Sequence, residues 1–467
     1  MTDDDPLQTA LEKMRADAIA DVAQKTFAHY YERLRAGDSG TLPESEIEPV
    51  EELPDADELP EDEPGAAEAL EQTVVIKLNG GLGTSMGMTG PKSLLEVKDG
   101  LTFLDISVHQ IRDLRERTGA RLPLVLMNSF ATREASLAAL EPYIDLPVDD
   151  VPVDFLQSKV PKLAAEDLAP AQWPDDPALE WAPPGHGDVY PSLLSSGLLD
   201  ALLEGGYRYA FVANVDNLGA VLEPRILAWF AREQMPFLME VADRTPADRK
   251  GGHLARRPDG GLVLREIAQT PEEDVEAFQD TSRHRFFNTN TLWIDLRALA
   301  DVLAEREGVL GLPMIVNHKT IDPEDPQSPP VIQLETAMGA AIDVFDGARA
   351  VRVARERFAP VKTTDDLLAL RSDAYELSEG GRIVLAEARA KAGEGAPLVK
   401  LDPAFFKLVR DFEERFPAGP PSLVEAQRLT VRGDIAFGAG VVVRGEVSVE
   451  HSGAGQRRID DGTVLEG

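Results

Sequence analysis

Short apolar runs recur between helical stretches along most of this chain, and that alternation limits the folds open to it. The runs are Val74–Leu78 (VVIKL), Pro123–Met127 (PLVLM), Tyr209–Val212 (YAFV), Phe237–Val241 (FLMEV) and Leu292–Ile294. Helical spacing fills stretches between them, among them 102–118, 190–204 and 224–234. Strands alternating with helices predict an α/β fold, a mixed, mostly parallel sheet covered by helices. With 467 residues the chain can bury a large core without staples. Past about residue 390 the texture changes. Leu429–Val449 reads LTVRGDIAFGAGVVVRGEVSV, β-branched triplets separated by Gly-Asp, Gly-Ala-Gly and Gly-Glu. That spacing fits the rungs of a small β-helix or an ordinary β-meander.

The N-terminal part has another character. Leu7, Leu11, Met14, Ile19, Val22, Phe27, Tyr30 and Leu34 predict one amphipathic helix over 6–36, ended at Gly37 and laid on the main domain. From Arg35 to Lys77 there is no base, but there are 14 acids and prolines at 43, 49, 54, 60 and 64. Proline and like charge both oppose packing, so 37–71 is expected to be a flexible acidic linker. The expected units are 1–36, 37–71, a catalytic domain over 72–388 and a β-helix unit over 389–467.

Composition removes several function classes. There is no cysteine, so disulfides, Cys-ligated zinc, iron–sulfur clusters and thiol catalysis are excluded, and a reducing cytoplasm is expected. No apolar run reaches the length of a membrane span, and the start, MTDDDPLQTA, is unlike a signal peptide. The 82 acids against 47 bases give a net charge of −35, which argues against nonspecific nucleic-acid or anionic-membrane binding. Any phosphate site must then be a local positive exception.

A candidate for that exception follows the first strand. Val74–Ser93 reads VVIKLNGGLGTSMGMTGPKS. Glycines beyond a strand's carboxyl end let backbone N–H groups close on phosphate oxygens. The loop is not a P-loop, because Pro91 separates Gly90 from Lys92. Nor is it a Rossmann fingerprint, because Gly81, Gly83 and Gly87 give G-x-G-x-x-x-G. Only 13 lysines occur beside 34 arginines, so Lys92 in this uncharged loop reads as placed, although a solvent-facing lysine is the plain alternative.

Further candidates sit near strand ends. FVANVDNLG places Asn214 and Asp216 after a strand, where Asp216 is either a Mg²⁺ ligand or a helix cap. PPGHGDVY flanks His186 with Gly185 and Gly187, which predicts an imidazole open to whatever approaches, or a structural one. RFFNTNTLWI puts Asn288 and Asn290 just before an apolar strand, as a pair able to bind sugar hydroxyls or as turn formers. FAPVKTTDDL holds Lys362 between a Pro-Val pair and a helix start.

Together these segments are more specific than any one of them. KLNGGLGTSMGMTGPKS, LMNSF, FLQSKVPKL, PPGHGDVYPSL, FVANVDNLGA, EIAQ, FNTNTLW, VIQLETAMGAAI, FAPVKTTDDLL and PSLVEAQRLTVRGDIAFG occur in this order from about Val74 onward. The set resembles the eukaryotic-type UTP–glucose-1-phosphate uridylyltransferases, or UDP-glucose pyrophosphorylases. The resemblance implies a Rossmann-like, GT-A-like nucleotidyltransferase domain and a C-terminal left-handed β-helix. It implies UTP and glucose 1-phosphate as substrates, UDP-glucose and pyrophosphate as products, and Mg²⁺ as cofactor. Leu78, Asn79, Gly80 and Gly81 are then expected at the nucleotide, with Gln157 on the uracil edge and Lys92 on the triphosphate. Gly185 and His186 are expected between nucleotide and sugar phosphate, Asn214 and Asp216 at ribose and metal. Glu266, Asn288 and Asn290 are expected at the sugar, and Lys362 as the catalytic lysine with Lys92. Gly83-Thr84-Ser85-Met86-Gly87 stands where N-acetylhexosamine relatives are expected to carry Gly-Thr-Arg-Leu-Gly, which favours glucose 1-phosphate. The rivals are another sugar 1-phosphate, such as that of galactose or an N-acetylhexosamine, and a non-catalytic nucleotide-sugar binder. Copies of the chain are expected to associate through the β-helix end, whose last rung exposes strand edges.

Overall fold

A computed structural model describes residues 5–61, 64–245 and 248–467. The acidic first four residues, and Asp62 and Glu63 of the expected linker, lie outside these. The α/β expectation is met by a ten-stranded mixed sheet. Among the described residues, seven of its strands run one way: His253–Arg256, antiparallel to Phe286–Asp295, and six others. The spatial order of these six is Asp154–Leu156, Leu124–Asn128, Thr73–Asn79 and Tyr209–Asn214, then, across the reversed strand Phe286–Asp295, Phe237–Asp243 and Arg349–Arg352. Alternate side chains feed two cores, as the two-residue period of a strand requires. Val74 and Ile76, with Ala210 and Val212, enter one core, while Val75, Tyr209 and Phe211 enter the other. Helix Phe103–Thr118 covers the second face with Leu104, Val108, Ile111 and Leu114. It opens with Thr102 and Asp105 capping each other and closes at Gly119, left-handed at φ 75°. These are ordinary start and stop devices.

Two expectations about the N-terminal part are corrected. The predicted helix over 6–36 is two helices, Pro6–Ala16 and Asp21–Arg35. Ala18 takes a positive φ of 55° and Ile19 plugs into the core, so the chain turns where the apolar spacing slips. Both helices pack on Val160, Leu163, Met314, Ile332 and Leu334. The acidic segment is not a free tether. Glu48–Pro49 pairs with Ala255–Arg256 at the sheet edge, Leu42 and Ile47 bury on Ala255 and Val263, and Ala66–Glu71 is helical. The helical stretch predicted over 190–204 is likewise two helices, Val189–Ser195 and Leu198–Glu204, divided at Gly197 with φ 75°.

Beyond Leu398 the strands pair only in parallel among the described residues. One ladder runs Leu398–Leu401, Ser422–Arg432, Val442–Glu450, Val464–Glu466, and a second joins Ile435–Phe437 to Arg457–Ile459. From Ser422 onward the chain alternates between the two ladders, and the parallel pairing rules out an antiparallel meander. Met86 of the glycine-rich loop packs into the core of this C-terminal unit. Among the described residues no helix is long and apolar enough to cross a membrane.

Candidate active site

Ligands in open parallel sheets bind beyond the carboxyl ends of the strands. Here Asn79, Asn128, Leu156 and Asn214 end four neighbouring parallel strands. The loops that follow meet in a cleft with about 860 Å³ of empty space, part of it open to solvent. Leu78, Gly80, Gly81, Lys92, Gln157, Gly185, His186, Asn214 and Asp216 all line it. Gly80 lets the loop backbone lie against the Gln157 amide, since a Cβ there would meet Gln157 Oε1 at 2.7 Å. The Lys92 N–H donates to the Gly81 carbonyl at 3.0 Å, which folds the loop back on itself. The Lys92 ammonium thereby reaches Asp216 Oδ2 at 2.5 Å. Asn79 is placed otherwise than expected. Its side chain is buried beneath the loop, where Nδ2 donates to Asn128 Oδ1 at 2.7 Å and Ser136 Oγ at 2.8 Å, joining adjacent strand ends.

The glycines beside His186 serve close packing, which corrects the expected open approach. A Cβ on Gly185 would lie 2.4 Å from the Thr336 carbonyl oxygen, and one on Gly187 2.3 Å from Thr336 Oγ1. Burial lowers the His186 pKa to about 4, so the ring is neutral at ordinary pH. Its Nδ1 accepts from the Met338 N–H at 2.9 Å. An accepting Nδ1 assigns the proton to Nε2, leaving a neutral donor at the cleft.

Glu266, Asn288, Asn290 and Lys362 form a second group, joined to the first through Met338 and Gly339. Gly339 passes so close to Asn288 that a Cβ would meet its Nδ2 at 2.7 Å. Asn288 and Asn290 lie inside strand Phe286–Asp295, not before it. A register shift opposite Glu240 and Val241 bulges the strand there, and Asn290 takes a φ of 55°. The bulge turns the two residues together, and Asn288 Nδ2 donates to Asn290 Oδ1 at 2.8 Å. Burial pushes the Glu266 carboxyl up to about 7, against the pull of the Lys362 charge. The Lys362 ammonium lies 5.6 Å over the Phe358 ring, and its backbone N–H donates to Asp366 Oδ2 at 2.8 Å. Asn217 ties this lysine's segment to the Asp216 loop: its Nδ2 donates to the Arg357 carbonyl at 3.2 Å, and its Oδ1 accepts from the Ala359 N–H at 3.0 Å. Both candidate charges therefore hang on one side-chain clamp.

The profile described as UTP–glucose-1-phosphate uridylyltransferase matches residues 24–444. The potato (Solanum tuberosum) protein of that name is 43% identical over 408 residues, 87% of this chain and 83% of that protein. The chain belongs to this family. Solved structures agree with this uridylyltransferase assignment. A mutant UDP-glucose pyrophosphorylase from Leishmania major, in complex with UDP-glucose, is 45% identical with a TM-score of 0.92, covering 99% of this chain and 98% of that one. UDP-glucose phosphorylase from Trypanosoma brucei is 46% identical with a TM-score of 0.90, again covering 99% and 98%.

Beneath the cleft the uridylyltransferase-family chain buries charges that the sequence reading passed over. Arg357 donates to Glu240 through Nε and Nη2, both at 2.7 Å, and the Trp293 indole N–H donates to Glu240 at 3.0 Å. Lys77 lies beside them, its ammonium donating to the Ala220 carbonyl at 2.8 Å. Burial, with the Arg357 charge, lowers its pKa to about 7. The sign was available: Lys77 in VVIKL and Glu240 in FLMEV are charges inside strands expected to be covered on both faces. Glu240→Ala leaves the Arg357 guanidinium uncompensated and is expected to cost about 3–5 kcal/mol. Chemical denaturation checks this, and replacing Glu240 and Arg357 together by Met should cost much less.

Among the described residues no three His, Asp or Glu side chains gather to hold a metal by themselves. Among those residues, Asp216 is the only carboxylate lining the cleft.

Proposed function

We propose that this cleft makes UDP-glucose and pyrophosphate from UTP and glucose 1-phosphate. The observation that carries the proposal is the convergence of Lys92, Gln157, His186 and Asp216, from four separate loops, on one cleft at the strand ends. An oxygen of the sugar phosphate attacks the UTP α-phosphorus in line. The α–β bridge breaks and pyrophosphate leaves with its electron pair. The nucleophile is already an anion, so no strong base is needed. Bringing two polyanions together is the obstacle: a like-charge pair at 4 Å costs about 4 kcal/mol at an effective dielectric near 20. Catalysis is then positioning and charge neutralisation.

The backbone of Leu78, Gly80 and Gly81 holds the nucleotide, the Gln157 amide reads the uracil edge, and Lys92 meets the triphosphate. Asn214 serves the ribose, and Gly185 admits the phosphates while the His186 Nε2–H donates to them without adding charge. Glu266, Asn288 and Asn290 hold the sugar, and Lys362 stabilises charge in the transition state. Lys92 and Asp216 cancel each other, so the cleft is not the positive exception that net charge seemed to demand. A single carboxylate facing phosphate-binding space suits Mg²⁺, which keeps waters and phosphate oxygens as its other ligands. Mg²⁺ held by Asp216 would supply the missing positive charge. The test is pyrophosphate release from UTP with a panel of sugar 1-phosphates. Glucose 1-phosphate is expected to be turned over best. No release with it, or preference for an N-acetylated sugar, contradicts the proposal.

The Glu266 carboxyl adds a pH signature. Unfolded, it loses its proton near its ordinary value of 4.5; folded, it keeps the proton to about 7. The native state thus holds more protons between those values, and stability from this group, complete below 4.5, is lost as pH rises to about 7. Glu266→Gln should flatten that part of the stability profile, read as denaturation midpoints at pH 5 and 7.5. An equal fall in both proteins contradicts it.

The remaining parts fit the same reading. Two parallel ladders visited in alternation support a left-handed β-helix over 389–467, beside a catalytic domain over 72–388. Exposed Val464 on its last strand supports association of copies through that end. A chain without cysteine suits work in the cytoplasm.

A further inference from the structure

The acidic segment that looked like a tether reaches the back of the sugar end. Glu44 stands at its centre. Its carboxylate accepts from Arg265 Nη1 at 2.6 Å, Arg283 Nε at 2.7 Å and His284 Nε2 at 3.0 Å. Its backbone N–H donates to Asp274 at 2.6 Å, and the same Asp274 accepts from Arg265 at 3.2 Å. Arg265 is fully buried and immediately precedes Glu266. Burial would raise the Glu44 pKa, but the Arg283 and His284 bonds hold it below its ordinary value, so the carboxylate is charged.

The hold extends to both sides of Glu266. The Leu42 N–H donates to the Gln269 carbonyl at 2.7 Å. Gln269 Oε1 accepts from the Glu266 N–H at 3.0 Å, fixing the turn that carries the carboxyl. Behind it, the Glu44-bound His284 stacks on His253 at 3.9 Å. Next to His253, the Gly252 carbonyl accepts from the Asn288 N–H at 3.0 Å, and a Cβ on Gly252 would strike the Glu266 carboxyl at 2.5 Å. Glu44 is therefore connected to Glu266 through Arg265 and to Asn288 through the histidine stack. Neither chain of contacts passes through Lys92, Asp216 or Gln157.

We infer that Glu44 is a positioning residue for the sugar, and that the acidic segment sets recognition of the sugar 1-phosphate without touching it. The inference rests on the placement of Glu266 and Asn288 at the sugar. Loss of the Glu44 charge leaves Arg265 paired, among the described residues, with Asp274 alone and lets the Glu266 turn drift. A misplacement of an ångström can cost up to about 100-fold. A partial one, with the backbone bonds of Leu42 and Glu44 kept, should cost about tenfold.

The test is steady-state kinetics on the full chain. Glu44→Gln is expected to raise KM for glucose 1-phosphate about tenfold and leave KM for UTP within about twofold. Glu44→Asp, which keeps the charge on a shorter arm, should shift the same KM by a smaller factor. In a Glu266→Gln background, Glu44→Gln should add less than about twofold, because its effect runs through the missing carboxyl. A merely structural role would move both KM values or lower kcat alone, and would add in full on Glu266→Gln. Either result, or an unmoved sugar KM in both Glu44 variants, overturns the inference. If Glu266→Gln itself leaves the sugar KM unchanged, the placement of Glu266 at the sugar falls instead.

Discussion

Lys362→Ala lowers kcat by about 10²- to 10³-fold while binding of glucose 1-phosphate changes little, the loss typical of one electrostatic contact to developing charge. The geometry gives the reason. The lysine's segment is clamped to the Asp216 loop by the Asn217 amide, so its ammonium is held in register with the other charges. Its ammonium lies over the Phe358 ring, near the Glu266 carboxyl. A shortened side chain leaves the fold intact and removes only that charge. Rapid-quench turnover and equilibrium binding of the sugar phosphate separate the two effects. An unchanged kcat removes Lys362 from the transition state.

Asp216→Asn should remove most Mg²⁺-dependent turnover, by about 10³-fold in kcat/KM, without unfolding the protein. The side chain keeps its shape and loses its charge, together with the Lys92 pair. Because Asp216 is the only carboxylate lining the cleft among the described residues, no neighbour there can take over. Titrating turnover against Mg²⁺ gives the readout. Full activity at the wild-type half-saturating Mg²⁺ would contradict the proposal that Asp216 holds the metal.

The fold and most of the cleft were legible because they depend on local pattern. Apolar runs between helical stretches marked the strands, and glycines beyond a strand end marked the loop that carries Lys92. What escaped depends on partners far along the chain. Glu44, Asp55 and Asp57 read as repelling charges in a proline-rich stretch. In the fold Glu44 meets Arg265 and Arg283, Asp55 meets Arg352, and Asp57 meets Arg225. Their prolines do not prevent an extended strap along a sheet edge, where part of the backbone N–H groups face away from the sheet. Asn288 and Asn290 read as a sugar-binding pair just before a strand, because amides favour turns at strand ends, whereas they sit at a bulge inside a long strand. Asn79 carried the right motif, but its side chain is turned under the loop by Asn128 and Ser136.

The central claim is that a sugar-phosphate oxygen attacks the α-phosphorus of UTP in this cleft. Glucose 1-phosphate labelled with ¹⁸O in its non-bridging phosphate oxygens, incubated with UTP, Mg²⁺ and the protein, tests it by ³¹P NMR. The account predicts UDP-glucose with ¹⁸O in the bridge between its two phosphorus atoms, and pyrophosphate free of label. An unlabelled bridge, or label in the pyrophosphate, would contradict it.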